Sequence, residues 1–245
     1  MTALGFLYPG HSAEDDYQRI EQLLGSDIRL DLVHTDIGED AHRVDALLEM
    51  GSADRLAAGV EALRLSGAEA VVWACTSGSF VYGWKGAHEQ VRTLAQAAGM
   101  PASSTSFAFV HAARELGVRR VAIGATYPAD VAELFAEFLR AAGIEVTAIH
   151  SAGIVTAAEV GEWGEDELTS LAREALAAES DAEALLLPDT ALHTASHIAT
   201  LEKHLAKPVL TANQVSVWEA LRLTTRKVNA PSLGTLFTRE SLVQA

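Results

Sequence analysis

The feature of this sequence that most constrains its fold is an internal repeat. Four segments of the first half recur in the same order in the second half, in the pairs 4–9 and 123–128, 28–35 and 144–151, 68–76 and 182–190, and the segments that begin at Pro101 and Pro208. Chance similarity between two α/β units can account for a match at a single segment. It does not readily account for four matches in the same order. The repeat therefore predicts two similar structural units in one chain.

The hydrophobic pattern within each repeat predicts an α/β fold. Short apolar runs, such as residues 70–74 and 184–187, alternate with longer segments of helical periodicity. Short strands separated by helices form βαβ units, whose strands run parallel. We therefore predict two pseudo-symmetric lobes, each a parallel sheet flanked by helices, with lobe one at residues 1–116 and lobe two at residues 117–212. The last segment, residues 213–245, is predicted to pack back on lobe one.

The repeat also predicts where a ligand binds. Ligands of open parallel sheets bind beyond the carboxyl ends of the strands. Two lobes related by a pseudo-twofold axis place equivalent strand ends opposite each other. The strand ends that carry Cys75 and Asp189 should therefore face each other, as should those that carry Tyr8 and Tyr127. We predict the active site in this inter-lobe cleft.

Charge and cysteine content narrow the possible partners and location. Eighteen Lys and Arg against 33 Asp and Glu give a net charge of -15, which is unfavourable for nucleic acid or an anionic membrane surface. Cys75 is the single cysteine, so no intramolecular disulfide forms and a reducing cytosol is the expected location. The N-terminus lacks the basic region of a signal peptide. We therefore predict a cytoplasmic protein without nucleic-acid or membrane partners.

Cys75 is the leading candidate for chemistry in lobe one. It follows a strand and begins a turn toward a helix, where backbone N–H groups favour anions and lower the pKa of a thiol. Thr76 and Ser77 add hydroxyl and amide donors that suit a substrate carboxylate or an enolate oxygen. The alternative is that Cys75 is a small buried apolar side chain, which is the common fate of a free cysteine.

Lobe two offers Asp189 at the position that mirrors Cys75. It is interpreted either as an acid or base facing Cys75 across a substrate carbon, or as the N-cap of the helix predicted over residues 195–205. Thr190 is a further candidate donor. Tyr8 and Tyr127 could each donate a phenol proton to a substrate carboxylate, and an aromatic ring packed at a strand end is the better interpretation for Tyr8.

Motifs for metals and nucleotides are weak in this sequence. His193 and His197 have the i, i+4 spacing of helical metal ligands, but HExxH is absent and no third ligand is evident. His34 and His150 occupy equivalent strand positions and are interpreted as structural. The sequence has no GxGxxG after the first strand, no P-loop lysine and no GxSxG. We therefore predict no metal and no nucleotide cofactor.

Three segments resemble the aspartate/glutamate/hydantoin racemase superfamily, and within it the branch of maleate cis-trans isomerases and arylmalonate decarboxylases. They are residues 75–80 (CTSGSF), 116–122 (LGVRRVA) and 125–127 (ATY). The resemblance implies two pseudo-symmetric α/β lobes, an active site between them, no metal or organic cofactor, and a homo-oligomer. It places the donors that hold a substrate carboxylate at Thr76, Ser77, Tyr127 and Thr190.

The resemblance also shows where this chain departs from its relatives. Racemases and maleate isomerases of the superfamily have one cysteine on each lobe, and these fall on Cys75 and Asp189. Arylmalonate decarboxylases keep the second cysteine, whereas this chain keeps the first. The function that we predict first is therefore that of a cofactor-independent isomerase or racemase of a small carboxylic acid, which acts through Cys75 with Asp189 as the opposing acid or base. The alternatives are an arylmalonate-type decarboxylase with Cys75 as proton donor, and a non-catalytic small-molecule binding protein.

Overall fold

The computed structural model describes residues 1–25, 27–177 and 181–238 and contains two four-stranded sheets in this part of the chain. The strands are β1 (Thr2–Pro9), β2 (Ile28–Thr35), β3 (Ala70–Trp73), β4 (Ala102–Ser104), β5 (Arg120–Ala125), β6 (Glu145–Ser151), β7 (Ala184–Leu187) and β8 (Val209–Thr211). The sheets have the orders β2-β1-β3-β4 and β6-β5-β7-β8, and all neighbouring strands run parallel. The predicted fold class, two parallel sheets flanked by helices, is confirmed.

Helices connect the successive strands, and the last helix follows β8. They are α1 (Asp15–Leu24), α2 (Val44–Met50), α3 (Ala53–Leu63), α4 (Ser77–Phe80), α5 (Gly83–Ala98), α6 (Thr105–Leu116), α7 (Ala129–Ala141), α8 (Ala157–Gly161), α9 (Glu165–Ala177), α10 (Ile198–Leu205) and α11 (Ala212–Leu223). Two 3-10 turns, Pro231–Leu233 and Thr235–Phe237, follow. None of the helices in the described ranges combines the length and the apolar character that crossing a bilayer requires.

The inner strands explain why the repeat is visible in the sequence. Every residue of β1, β3 and β7 is buried, because helices cover both faces of these strands. The edge strands β2 and β6 are mostly half-buried. Continuous apolar runs at the centre and mixed sequences at the edge are what parallel sheets of this kind require.

Two equivalent glycines let a helix approach each sheet closely. A Cβ atom on Gly5 of β1 would lie 3.0 Å from the Leu63 side chain of α3, and one on Gly124 of β5 would lie 2.9 Å from Leu187 and 3.3 Å from Ala175 of α9. In lobe one this contact would push α3 away from the sheet, whereas in lobe two the shortest contact is with Leu187 of β7 and the contact with α9 is longer. The same requirement in both lobes is part of the repeat.

The hydrophobic core is continuous across the two sheets. Phe135 of α7 packs against Phe80 of α4 and Phe109 of α6, with ring centroids 5.3 and 5.4 Å apart. Helix α11 contacts α6, β1, β3 and β4, and it also contacts β8. Of the C-terminal segment predicted to return to lobe one, residues 239–245 lie outside the described residues.

Candidate active site

A small pocket lies at the carboxyl ends of the strands, between the two sheets. Four of the predicted site residues line it, namely Cys75, Ser77, Asp189 and Thr190. Its volume is about 30 Å³. The structure thus brings the strand end of Cys75 and that of Asp189 to one site.

Cys75 lies in the turn between β3 and α4. The Gly78 N–H donates to its Sγ at 3.3 Å, and the Ser77 hydroxyl lies 3.8 Å from the same sulfur. Burial raises the pKa of Cys75 to about 12, and the charge of Asp189 adds to this rise, although the Gly78 amide and the Ser77 hydroxyl oppose it. The predicted lowering of the thiol pKa is therefore wrong, because burial outweighs the amide of a four-residue helix.

Thr76 and Tyr127 belong to the buried layer around the pocket. Thr76 is fully buried, and its Oγ1 makes no hydrogen bond of good geometry among the described residues, although it lies close enough to the Tyr127 phenol to interact with it. The pKa of Tyr127 is well above its usual value because of burial and then the charges of Asp189 and Cys75, with the hydroxyls of Thr76 and Ser77 acting in the opposite direction. These interactions place the Tyr127 phenol beside both strand ends.

Asp189 is buried and fixes the chain that follows β7. Its Oδ2 accepts a hydrogen bond from the Thr126 hydroxyl, and its Oδ1 accepts one from the Ala191 N–H at 2.9 Å. The second bond closes a turn two residues long, as Asp side chains often do. The alternative that Asp189 caps the next helix is wrong, because α10 begins only at Ile198.

The two predicted tyrosines brace the backbone on either side of Asp189. The Tyr8 phenol donates to the Thr190 carbonyl oxygen at 2.8 Å, and the Tyr127 phenol donates to the Pro188 carbonyl oxygen at 2.8 Å. Each phenol has one proton, and each uses it on these main-chain oxygens. In this arrangement the tyrosines position the Asp189 turn, and the predicted donation to a substrate is not available to them.

His42 lines the pocket and was missed by the sequence analysis. Its backbone N–H donates to the Val155 carbonyl at 2.7 Å, and its Nδ1 bonds to the Ile154 carbonyl at 2.9 Å. The imidazole also packs edge-on against the Tyr127 ring, with centroids 5.0 Å apart. The segment before α2 is therefore joined to the loop before α8.

Asp40 strengthens the same connection. Its carboxylate accepts hydrogen bonds from the backbone N–H groups of Ala157 and Ala158, at 2.7 and 3.0 Å, at the start of α8. A carboxylate at the N-terminus of a helix satisfies donors that the helix leaves unpaired. Segment 36–43 thereby covers the pocket from the side of the first sheet. The run Glu39-Asp40-Ala41-His42 was the available signal, but its partners are more than 100 residues away in sequence.

Comparisons with known proteins agree on one family. A family model described as arylmalonate decarboxylase matches residues 49–237. The arylmalonate decarboxylase of Bordetella bronchiseptica is 33% identical over 178 residues, which cover 71% of this chain and 73% of that protein.

Solved structures show the same similarity over nearly the whole chain. A liganded double mutant of arylmalonate decarboxylase, with one glycine changed to cysteine and one cysteine to serine, has 26% identity and a TM-score of 0.85, covering 97% of this chain and 99% of that one. The maleate isomerase of Pseudomonas putida S16 has 18% identity and a TM-score of 0.86, covering 97% and 98%. The second likeness concerns the fold alone.

Proposed function

Because the chain belongs to the arylmalonate decarboxylase family, we propose that it removes carbon dioxide from a small substituted malonic acid, with Cys75 as the proton donor. The observation that carries this proposal is a protonated, buried thiol at the inter-lobe pocket. The sequence alone favours an isomerase or racemase. The protonated state of the Cys75 thiol instead favours a decarboxylase over an isomerase or racemase.

The protonation state of Cys75 separates the candidate reactions. Loss of carbon dioxide leaves a carbanion or enediolate that needs a proton, and a thiol whose pKa is about 12 holds that proton until the strong base forms. Cis-trans isomerisation by covalent addition needs a thiolate as nucleophile, and a two-base racemase needs one in one of its two directions. Burial of Cys75 disfavours both of these.

The carboxylate that the substrate keeps would bind on the Cys75 side. Thr76 Oγ1 is buried and makes no hydrogen bond of good geometry among the described residues, so a substrate carboxylate would give it a better acceptor than the Tyr127 phenol. The Ser77 hydroxyl lines the pocket next to it. As negative charge moves onto the carboxylate oxygens in the enediolate, these preformed donors stabilise it more strongly than the ground state.

Asp189 would shape the choice of substrate. Its carboxylate lies across the pocket from Cys75 and repels a substrate dianion. Loss of neutral carbon dioxide leaves both negative charges on the enediolate, and one of them passes to the Cys75 sulfur when the thiol donates its proton to the carbon. The charge of Asp189 favours a substituent with an N–H or O–H donor. Segment 36–43 borders the pocket, so it lies on the path by which a substrate would enter. The proposed reaction uses no metal or organic cofactor.

A proton NMR panel in D2O tests the proposal. The substrates are an arylmalonate, an aminomalonate, maleate, aspartate, glutamate and a hydantoin. We expect carbon dioxide release from a malonate and one deuterium at the α-carbon of the product, with the rate reduced at least about 1,000-fold in Cys75→Ser. Thr76→Val should slow the reaction and Thr76→Ser should retain it, because only the serine keeps the hydroxyl.

The other outcomes contradict the proposal in distinct ways. Fumarate formed from maleate would establish an isomerase, and α-deuterium exchange of an amino acid or hydantoin without carbon dioxide would establish a racemase. Full malonate decarboxylation in Cys75→Ser would overturn the assignment of the proton donor. Inertness toward all six substrates, with the fold intact, would favour a binding protein.

A further inference from the structure

Three side chains of metal-ligating types converge on the surface of lobe one, next to Ser12, which lines the candidate active-site pocket. His11 and Glu14 lie in the loop between β1 and α1, and His34 lies near the end of β2. One potential ligand atom from each residue lies within 4.8 Å of the other two. We propose that these residues bind a divalent transition-metal ion.

The distances within this cluster fit the proposal. Glu14 Oε1 lies 3.1 Å from His11 Nδ1 and 3.5 Å from His34 Nε2. Metal–ligand bonds of about 2.0–2.1 Å in a tetrahedral site place neighbouring ligand atoms about 3.4 Å apart. The two measured separations lie on either side of that value. A metal ion would therefore fit these separations once the two stacked imidazole rings rotate apart, so that both nitrogens point at it.

Glu14 is held in the orientation that the site needs. Its Oε2 accepts the Ser12 backbone N–H at 2.7 Å, so Oε1 is the atom directed toward the two imidazoles. The carboxylate is thus positioned before a metal arrives.

The two imidazoles are also ordered relative to each other. The rings of His11 and His34 are stacked, with centroids 3.8 Å apart and an interplanar angle of 30°. His34 further meets the edge of the Tyr8 ring at 6.3 Å, and the Tyr8 phenol is hydrogen-bonded to the Ser12 hydroxyl at 2.7 Å. These contacts hold the two imidazoles beside the Glu14 carboxylate.

The donor set indicates which metals bind. Two imidazole nitrogens and one carboxylate oxygen suit Zn²⁺ and similar transition-metal ions, whereas Ca²⁺ and Mg²⁺ prefer oxygen ligands throughout. The His11 side chain is 73% exposed, which leaves room for water at the remaining coordination positions. This cluster is not the His193/His197 pair, whose spacing the sequence analysis considered for a metal. Its three residues come together only in the folded chain.

Zn²⁺ titration of the full chain by calorimetry tests the site. We expect one Zn²⁺ per chain, with affinity reduced at least about tenfold by His11→Ala, by His34→Ala and by Glu14→Gln. His204→Ala is the matched control, since it removes an exposed imidazole from another surface and should leave the affinity unchanged. X-ray absorption should show nitrogen and oxygen ligands without sulfur.

Two results would overturn the site. The first is the lack of saturable one-to-one binding in the wild-type chain. The second is Zn²⁺ affinity that survives the double substitution His11→Ala with His34→Ala, or that disappears in Cys75→Ser. None of these readouts depends on enzymatic activity, so failure of the metal site and failure of the proposed function are distinguishable.

Discussion

Alkylation of Cys75 gives the most direct test of the thiol's state. The chain has a single cysteine, so one adduct of iodoacetamide detected by mass spectrometry reports on this residue alone. Only the thiolate reacts at an appreciable rate. The rate of labelling in the folded protein therefore measures how strongly burial opposes ionisation of Cys75.

The structure sets the expected size of the effect. A free cysteine with a pKa of about 8.5 is roughly one-tenth thiolate at pH 7.5. Burial raises the pKa of Cys75 to about 12, which corresponds to about three thiolates per 100,000 molecules at the same pH. We expect labelling to be roughly 3,000-fold slower than that of a model thiol. Restricted access to a side chain that is only 2% exposed would slow it further.

The pH dependence distinguishes a raised pKa from restricted access. The labelling rate of the native protein should rise about tenfold per pH unit up to pH 10, while that of a model thiol levels off above about pH 8.5. Circular dichroism at each pH confirms that the protein remains folded, and labelling in urea provides the unfolded control. Asp189→Asn should accelerate labelling, because the charge of Asp189 contributes to the raised pKa.

A native labelling curve that levels off near pH 8.5 would refute this reasoning. It would mean that the thiolate is stabilised in the pocket, as the sequence analysis expected. Isomerisation through a Cys75 nucleophile would then become the better proposal. An unchanged labelling rate in Asp189→Asn would show instead that the two residues do not interact across the pocket.

Three further predictions concern stability. Burial raises the pKa of Glu219, but its hydrogen-bonded partners on α6 and α11 lower it by more, to about 2. Glu219 therefore stabilises the fold above about pH 4.3, and this contribution is lost as the pH falls toward 2. Glu219→Gln should cost about 3 kcal/mol at pH 7 and about half of that at pH 3, measured by urea unfolding. Asp16→Ala should cost about 3–5 kcal/mol, because buried donors of Thr194, Ala195 and Asn213 lose their acceptor, and equal urea midpoints would contradict it. Gly51→Ala should lower both the melting temperature and the rate of decarboxylation, because the added methyl group would press on the carbonyl oxygen of Gly78 in α4. An unchanged melting curve would count against that contact.

The sequence predicts the architecture well because the repeat and the apolar runs are local signals. The central strands read as buried and parallel, and each is found in the structure. Helices α2 and α8 were missed because they have seven and five residues. Helices this short are stabilised by tertiary contacts, such as the Asp40 carboxylate at α8, which no local pattern reveals.

The candidate site is predicted in position but not in chemistry. The repeat correctly indicates that the strand ends of Cys75 and Asp189 meet at one pocket. The pKa of Cys75 was wrong because it depends on burial by the whole fold and on a charge from the other sheet. His42 was missed because its role depends on loop carbonyls that are distant in sequence.

The departure from pseudo-twofold symmetry at the pocket bears on the reaction. Tyr8 and Tyr127 are equivalent in the repeat, and Tyr8 reaches across to the carbonyl after Asp189. If the lobes were symmetric here, the Tyr127 phenol would donate to the Thr76 carbonyl. The Tyr127 phenol instead donates to the Pro188 carbonyl of its own lobe, and the Ser106 hydroxyl donates to the Thr76 carbonyl at 2.7 Å. Both tyrosines therefore brace the Asp189 turn, while the hydroxyl of Thr76, the residue after Cys75, makes no hydrogen bond of good geometry among the described residues. A two-base racemase needs matched groups on both sides of the substrate, whereas one fixed carboxylate opposite one thiol and one open donor suits a reaction with a single proton donor.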